Sequence, residues 1–568
     1  MFQRSLSCHL RRPILRRSLL HPTFHACVGT KAYDSGDRRV IFPIVSMLAL
    51  ATTAAAVVYV TCENTPFAVD KDDIENSPLS LDNLPEYTSE EVAQNNGENG
   101  TPIWMSYGGV VYDVTKFVAN HPGGMEKIMQ AAGNSIEPYW HIYRQHYASD
   151  LPMKLMEHMV IGRLSENDQD AIENQMEALM LQDPYATEPI RHKALKVHSD
   201  TPMNAEAPAH LLTESYLTPS SLFYIRHHHP VPLLSLKEIM EYKLVVDLTA
   251  YGKGVWEVSL EDIKKLPKTE IISTLQCSGN RRGDFNSVAR TSGTSWGQGA
   301  IGTAKWGGVK LADLLKLAGV DDPIHVEEVG GMEHVRFYSL DGMMASIGIE
   351  KALNPYGDCL IAYEMNDEPL TRDHGFPLRI IIPGYAAVRN VKWINKIELA
   401  ATEAEGPWQR GLNYKTLPPN VTDASDVQLD QMPSMLEVSL FSGITCAKII
   451  SPTPHGKHLP GDKVTIKCSG WAWSGGGRNI VRVDVTSNNG DTWVPATLKD
   501  GSHQKSGRAW AWTFWECEVE AVVGQDKQVH LASKALDQCF NVQPEDCRHI
   551  WNVRGLGNNS WYRTTVSV

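Results

Sequence analysis

Hydrophobic and polar positions fall into distinct regimes along this chain. The stretch IFPIVSMLALATTAAAVVYVTC, residues 41–62, is uncharged throughout and long enough to cross a bilayer, which takes roughly 20 residues. The middle of the chain carries short apolar clusters, LVVDL, TEIISTLQC, CLIAYEM and LRIIIPG, punctuated by Gly and Pro. That pattern predicts buried strands mixed with short helices, an α+β domain over 183–401. Further on, KVTIKCSGWAWSG and NIVRVDVTSNNGDTW alternate apolar with polar residues, and Asn489-Gly490 is a type I′ turn signal. The alternation predicts a β-sandwich over 425–568.

Ahead of these lies a smaller module, 79–164. Its segment PIWMSYGGVVYDVTKFVANHPGG predicts a strand, a tight Tyr-Gly-Gly turn, a second strand, and a helix stopped at His121-Pro122-Gly123-Gly124. The helical stretch MEKIMQAAG and a Gly turn then lead to His146. The stretch SENDQDAIENQMEALM has five acids, no Lys or Arg and little periodicity, so 165–182 is expected to be an acidic linker or a loosely held helix.

Charge changes the reading of the N-terminus. The net charge of the chain is −13, which argues against a nucleic-acid binder because a phosphate backbone needs a broad basic surface. Residues 1–40 run the other way, with Arg4, Arg11, Arg12, Arg16 and Arg17 and no acid before Asp34. This is a mitochondrial presequence pattern. A hydrophobic run after such a leader acts as a sorting signal in the inner membrane, or as an anchor, and leaves the downstream domains in the intermembrane space. Ten cysteines without CxxC spacing indicate neither a zinc module nor a disulfide framework.

Two histidines and one cysteine carry the candidate chemistry. Neutral imidazoles on separate short helices can clamp an iron from opposite faces, and nearby glycines let a flat macrocycle approach the backbone. The order of Trp104, YDVTKFV, HPGG and a second histidine resembles the cytochrome b5 family. The resemblance implies a b-type haem with His121 and His146 as axial ligands, and electron transfer in place of oxygen binding.

In LQCSGNRRGDF, Cys277 stands among glycines with Arg281 and Arg282 close by. Cations make a thiolate accessible, and sulfur suits a soft metal site. The same domain contains FYIRHHHPVP (223–232), RTSGTSWGQGAIGTAKWGG (290–308) and LIAYEMNDEPLTRDHGFPLRIIIPGYAAVRNVKWI (360–394), with SGRAWAWTFWE (506–516) beyond it. Together these resemble the sulfite oxidase family of molybdenum-pterin enzymes.

That resemblance implies Cys277 as the protein ligand to molybdenum. It implies a Mo-molybdopterin site formed by Tyr224, Ile225, Arg226, His227, His228, His374, Arg379, Asn390, Val391 and Lys392, with an acidic contact at Glu333. It further implies substrate arginines at Arg226, Arg282 and Arg508, a pocket wall of Trp296 and Tyr363, and proton transfer assisted by Tyr363. The C-terminal part becomes an Ig-like dimerisation domain, and the chain a homodimer. One departure stands out: the family has Arg-Asn-His where this chain has Arg226-His227-His228. An imidazole there is expected to keep one hydrogen bond and to add a pH dependence.

The implied reaction is sulfite to sulfate, the last step of sulfur amino-acid catabolism, with electrons leaving through the haem to cytochrome c, whose basic face suits an acidic partner. A nitrate-reductase-like enzyme and a non-catalytic haem carrier are the alternatives. Against the first, the haem module here precedes the molybdenum domain, and the chain ends at Val568 with no flavin reductase. The leader yields a test of its own. After carbonate extraction of mitochondria, the mature chain is expected in the soluble fraction; intact chains confined to the membrane pellet would reject cleavage and favour a permanent anchor.

Overall fold

The computed structural model describes residues 84–568, apart from 122–123, 144–145, 147–150, 173–182, 321, 323, 416, 423–426, 430–431 and 453–456. The leader 1–40, the hydrophobic run 41–62 and the second part of the acidic linker lie outside the described residues. Among the described residues no helix is long and apolar enough to cross a membrane.

The small module builds on a four-stranded sheet in the order Glu86–Tyr87, Val160–Leu164, Val110–Asp113, Trp104–Tyr107. Gly108 and Gly109 both take positive φ between the last two strands, so Tyr107 pairs directly with Val110 as the Tyr-Gly-Gly turn predicts. Met105, Tyr112, Val118, Ile136, Trp140 and Met156 form its core. The expected helix before His121 is a single 3-10 turn, Val118–Asn120, and the helix Met125–Met129 starts only after Gly124 at φ 93°. The acidic segment begins in an ordered way. Residues 166–172 are helical, and Asp168 accepts hydrogen bonds from the Ser165 hydroxyl (2.6 Å) and the Ser89 amide (3.1 Å).

The middle domain holds two five-stranded sheets. One packs Thr269–Gln276 and Leu360–Met365 on either side of Ile301–Lys310, all antiparallel. The other runs Met344–Gly348, His334–Ser339, Ile394–Ala400, Lys243–Leu248, Gly254–Ser259, and its only parallel pair is Ile394–Ala400 with Lys243–Leu248. A three-stranded sheet, Lys196–Asp200, Met203–Glu206 and Ile225–Arg226, completes the α+β domain.

The C-terminal sandwich is two four-stranded sheets, first strand Phe441–Ile449. Asn489 and Gly490 both sit at positive φ, inside a loop longer than a two-residue hairpin. Trp408 and Tyr414, on the segment between the domains, share one buried cluster with Trp471, Trp473 and Trp512 of the sandwich. The domains are therefore joined by core, not by a hinge alone.

Close strand approach in the sandwich rests on Gly470, where an added Cβ would lie 1.9 Å from the Gly443 carbonyl oxygen and 2.6 Å from the Trp515 ring. Gly470→Ala must push a neighbouring strand aside, an overpacking cost of about 1–3 kcal/mol. Thermal unfolding is expected to drop by several degrees; an unchanged Tm would show that the strands yield freely.

Candidate functional site: two redox pockets opening on one cavity

A cavity of about 700 Å³ is lined at one end by His121 and His146 and at the other by Arg226, His228, Cys277, Arg282, Tyr414 and Arg554. At the first end the imidazole centroids lie 6.1 Å apart with their planes 13° from parallel. One metal at roughly 2 Å from each facing nitrogen, plus about 1 Å of ring radius on each side, fills that gap. His121 Nδ1 is 3.1 Å from the Gly124 carbonyl oxygen and His146 Nδ1 is 2.8 Å from that of Tyr143. Each Nδ1–H donates to main chain, which leaves both Nε2 atoms for a metal. Burial lowers both imidazole pKa values, so both rings are neutral, as ligation requires. Phe117, Ile128, Trp140 and Met156 supply apolar walls for a macrocycle.

At the second end Cys277, only 6% exposed, follows the strand Thr269–Gln276. The two arginines after it face opposite ways. Arg281 adopts φ 64°, donates to the carbonyls of Ser560 (2.6 Å) and Trp561 (3.0 Å), and stacks on Tyr562. It ties the sandwich to the middle domain and leaves the pocket to Arg282.

Arg282 threads between Gly279, Gly293 and Gly555, where any Cβ would strike it at 2.6–2.8 Å. Its guanidinium donates to the carbonyls of Thr294 (2.8 Å), Arg554 (3.1 Å) and Gly555 (3.2 Å). Arg554 donates to the Ser292 hydroxyl and Asn413 Oδ1, both at 2.8 Å, and burial lowers its pKa to about 10. Arg226 reaches Asn204 Oδ1 at 2.9 Å and His228 Nδ1 at 3.2 Å. Every described partner of these three cations is uncharged. Tyr414 lies among them, its hydroxyl pKa raised by burial and by Cys277 against the opposing pull of Arg226 and Arg282.

Behind this pocket is a second cationic group. Arg379 donates to the carbonyls of His374 (2.9 Å) and Asn390 (3.0 Å), and Lys392 donates to that of Asp373 (3.0 Å). The Asn390 side chain ties Ile382 to the same turn, Val391 is buried beside it, and Tyr224 and Ile225 are buried at the start of the strand Ile225–Arg226. Burial brings Lys392 to about 7, Arg379 to about 10 and His374 to about 4. Arg379 Nε and Arg554 Nε have no protein partner. Buried cations with free donors suit a bulky phosphorylated cofactor carrying sulfur donors beside Cys277.

Four sequence expectations need correction. Tyr363 points away from Cys277: strand alternation places Leu360 and Ala362 in the core cluster of Cys277, and Ile361 and Tyr363 in the other core. Tyr414 lines the cavity instead. Arg508 pairs with buried Asp358 at 2.6 Å and does not line the cavity; Arg554 is the third arginine. Glu333 is exposed, whereas the buried acid near the His228-His229 turn is Asp341, 3.6 Å from His229 Nδ1. Trp296 shares the core cluster of Cys277 but is fully buried and does not line the cavity.

His227 keeps one hydrogen bond, Nε2 to the Asp373 carbonyl at 3.2 Å. Burial, with Lys392 adding to it, drives its pKa well below the ordinary value, so it stays neutral near pH 7 and does not supply the expected pH dependence there. Glu188, His227 and Asp373 come close enough to hold a cation, but Arg191 already bridges Asp373, at 2.7 Å, and Glu188.

Three family models match in the same order as these domains. They are a cytochrome b5-like heme/steroid binding domain over 88–165, an oxidoreductase molybdopterin binding domain over 228–408 and a Mo-co oxidoreductase dimerisation domain over 443–568. Mitochondrial sulfite oxidase of Homo sapiens is 41% identical over 85% of this chain and 84% of its own length. Sulfite oxidase of Gallus gallus is 40% identical over 84% of this chain and 99% of its own. The chain belongs to the sulfite oxidase family. The sulfane dehydrogenase SoxCD of Paracoccus pantotrophus shares the fold, with a TM-score of 0.51 and 23% identity over 69% of this chain and 90% of that one. Membership brings the family's two cofactors, a molybdopterin-bound molybdenum and a b-type haem, to sites whose residues fit them.

The exchange of Arg508 for Arg554 is directly testable. Losing a charged hydrogen bond costs on the order of 1.5–3 kcal/mol, so Arg554→Gln should raise the KM for sulfite roughly ten- to hundredfold. Arg508→Gln should leave it near normal; the reverse outcome would return Arg508 to the pocket.

Proposed function

We propose that this chain oxidises sulfite to sulfate at a molybdenum held by Cys277, and delivers the electrons through a haem held by His121 and His146 to cytochrome c in the mitochondrial intermembrane space. The observation that carries the reading is the convergence of Arg226, Arg282 and Arg554, all partnered by uncharged groups, on one cavity beside Cys277. Forked guanidinium donors match a small tetrahedral or pyramidal oxyanion, and a dianion offsets the charge that burial penalises. Sulfite and water become sulfate, two protons and two electrons.

When bound, molybdenum supplies the two-electron acceptor and oxygen-transfer chemistry, and haem iron the one-electron relay. The protein groups do the rest. Arg226, Arg282 and Arg554 hold the anion and exclude water from its oxygens. The Tyr414 hydroxyl, kept protonated by its raised pKa, donates to an anion oxygen. His228 accepts at Nδ1 from Arg226 and from Trp408 Nε1 (3.3 Å), so its proton sits on Nε2. Arg379, Lys392 and His374 would hold the cofactor's phosphate, with Asp341 as the buried acid nearby.

Mitochondrial relatives and the arginine-rich leader support the compartment. The acidic net charge supports cytochrome c as acceptor. The match to a dimerisation domain supports a homodimer. The nitrate-reductase-like reading has less behind it than a similarity to sulfite oxidases that spans 84–85% of the chain. A non-catalytic carrier would have no use for the arginine pocket.

The two redox sites should be separable. His146→Ala is expected to lose the b-type haem spectrum and cytochrome c reduction while still oxidising sulfite with ferricyanide, which can take electrons at the molybdenum. Cys277→Ser is expected to keep the haem spectrum and lose turnover with both acceptors. Substantial ferricyanide turnover by a folded, haem-replete Cys277→Ser enzyme would show that this cysteine is not the molybdenum ligand.

A further inference from the structure

The haem module and the molybdenum domain touch beside the mouths of their pockets, and the contacts are specific. Gly124, in the turn after His121, packs on Pro407: a Cβ at Gly124 would lie 3.1–3.5 Å from the proline ring. Lys127 on the next helix sets its ammonium 6.0 Å from the Trp408 ring centroid and beside Gly342, and donates to the Tyr143 hydroxyl at 3.3 Å. The Tyr143 ring meets His229 edge-on at 5.3 Å. His229 in turn lies 5.5 Å from Trp408, and Trp408 Nε1 donates to His228 Nδ1.

The chain of contacts is continuous. His146 Nδ1 donates to the carbonyl of Tyr143, whose ring touches His229; His229 touches Trp408, which is bonded to His228; and His228 is bonded to Arg226 in the anion pocket. Electron transfer falls steeply with gaps between atoms, so a packed aromatic contact between two redox pockets is where a transfer-competent arrangement is expected.

We infer that Tyr143 and Lys127 are positioning residues that dock the haem module on the His229-Trp408 surface, and that electrons pass between the two cofactors in this docked arrangement. The inference rests on the sulfite-oxidising reading. It adds no oxidant or reductant: one electron at a time leaves the reduced molybdenum site and reduces the ferric haem. Lys127 supplies the cation that spans Tyr143 and Trp408, and Tyr143 supplies the ring that closes on His229.

The test uses the full-length holoenzyme with Tyr143→Ala, Tyr143→Phe and Lys127→Ala. Three readouts are taken: the haem absorption spectrum, sulfite oxidation with ferricyanide, and the rate of intramolecular molybdenum-to-haem electron transfer after a laser flash. Tyr143→Ala and Lys127→Ala should keep the spectrum and the ferricyanide rate, because the His146 hydrogen bond goes to a backbone carbonyl and neither side chain belongs to the anion pocket. Their intramolecular rate should fall by about tenfold or more, the effect of about 1.4 kcal/mol lost from the docked state. Tyr143→Phe, which keeps the ring, should recover most of it. A normal intramolecular rate in both alanine variants overturns the docking assignment, as does a loss that appears only together with a disturbed haem spectrum. Wild-type holoenzyme that fails to oxidise sulfite with ferricyanide would instead overturn the functional reading on which the inference rests.

Discussion

Three guanidinium groups gathered on one cavity without a carboxylate, Arg282 buried and Arg226 and Arg554 half-buried, are the constraint around which the rest of this molecule is arranged. A buried charge without a counter-charge is among the most costly features a fold can hold, and the partners of Arg226, Arg282 and Arg554 among the described residues are carbonyl, hydroxyl, amide and imidazole groups. Each comes from a different part of the chain: the small sheet, the turn after Cys277 and the C-terminal segment of the sandwich. The pocket therefore exists only when the sandwich is seated on the middle domain. Arg281 secures that seating with bonds to Ser560 and Trp561, while its neighbour Arg282 is free to serve the pocket. The left-handed backbone at Arg281 is what lets adjacent residues take these opposite roles.

Much of the architecture was legible in residue patterns, for identifiable reasons. Two-residue periodicity located the sandwich, and paired glycines located the turn between the first strands of the haem module, because such turns demand positive φ. That His121 and His146 face one cavity is consistent with the short local context around each. The arginine pocket could not be completed in this way. Arg554 and Tyr414 lie 277 and 137 residues beyond Cys277 in sequence, and only tertiary packing brings them to it. The Gly-flanked VRGLG around Arg554 was the available signal, since it echoes the Gly-rich surroundings of Arg282. Tyr363 failed for a local reason that alternation could have exposed: one step along a strand turns a side chain to the other face. Arg508 failed because a buried carboxylate, Asp358, claims it first.

The haem cleft solves a different problem with the same economy of groups. It needs neutral rings at fixed orientation: burial keeps both rings neutral, and two backbone carbonyls fix their orientation by accepting from Nδ1. Its walls are apolar where the neighbouring pocket is cationic. One cavity thus runs from a site suited to a flat hydrophobic macrocycle to one suited to an anion. The boundary between them is aromatic, Tyr143, His229 and Trp408, a surface compatible with either environment.

The choice of arginine over lysine in the anion pocket follows from how burial acts on each. Lys392, half-buried behind the pocket, has its ammonium pKa brought down to about 7 by desolvation, with Arg379 adding to it. Arg379 and Arg554, also desolvated, come down only to about 10 and remain charged. Arginine is thus better suited than lysine to carry positive charge in a desolvated pocket around neutrality. Burial keeps His227, His228 and His374 neutral, and repulsion from Lys392 and nearby arginines adds to it. Neutral histidines accept hydrogen bonds as well as donate them, which is why His228 can orient Arg226 instead of repelling it. Charge at this site is thus assigned by residue type, with Arg379 and Arg554 holding it, His227, His228 and His374 declining it, and Lys392 brought down toward neutrality.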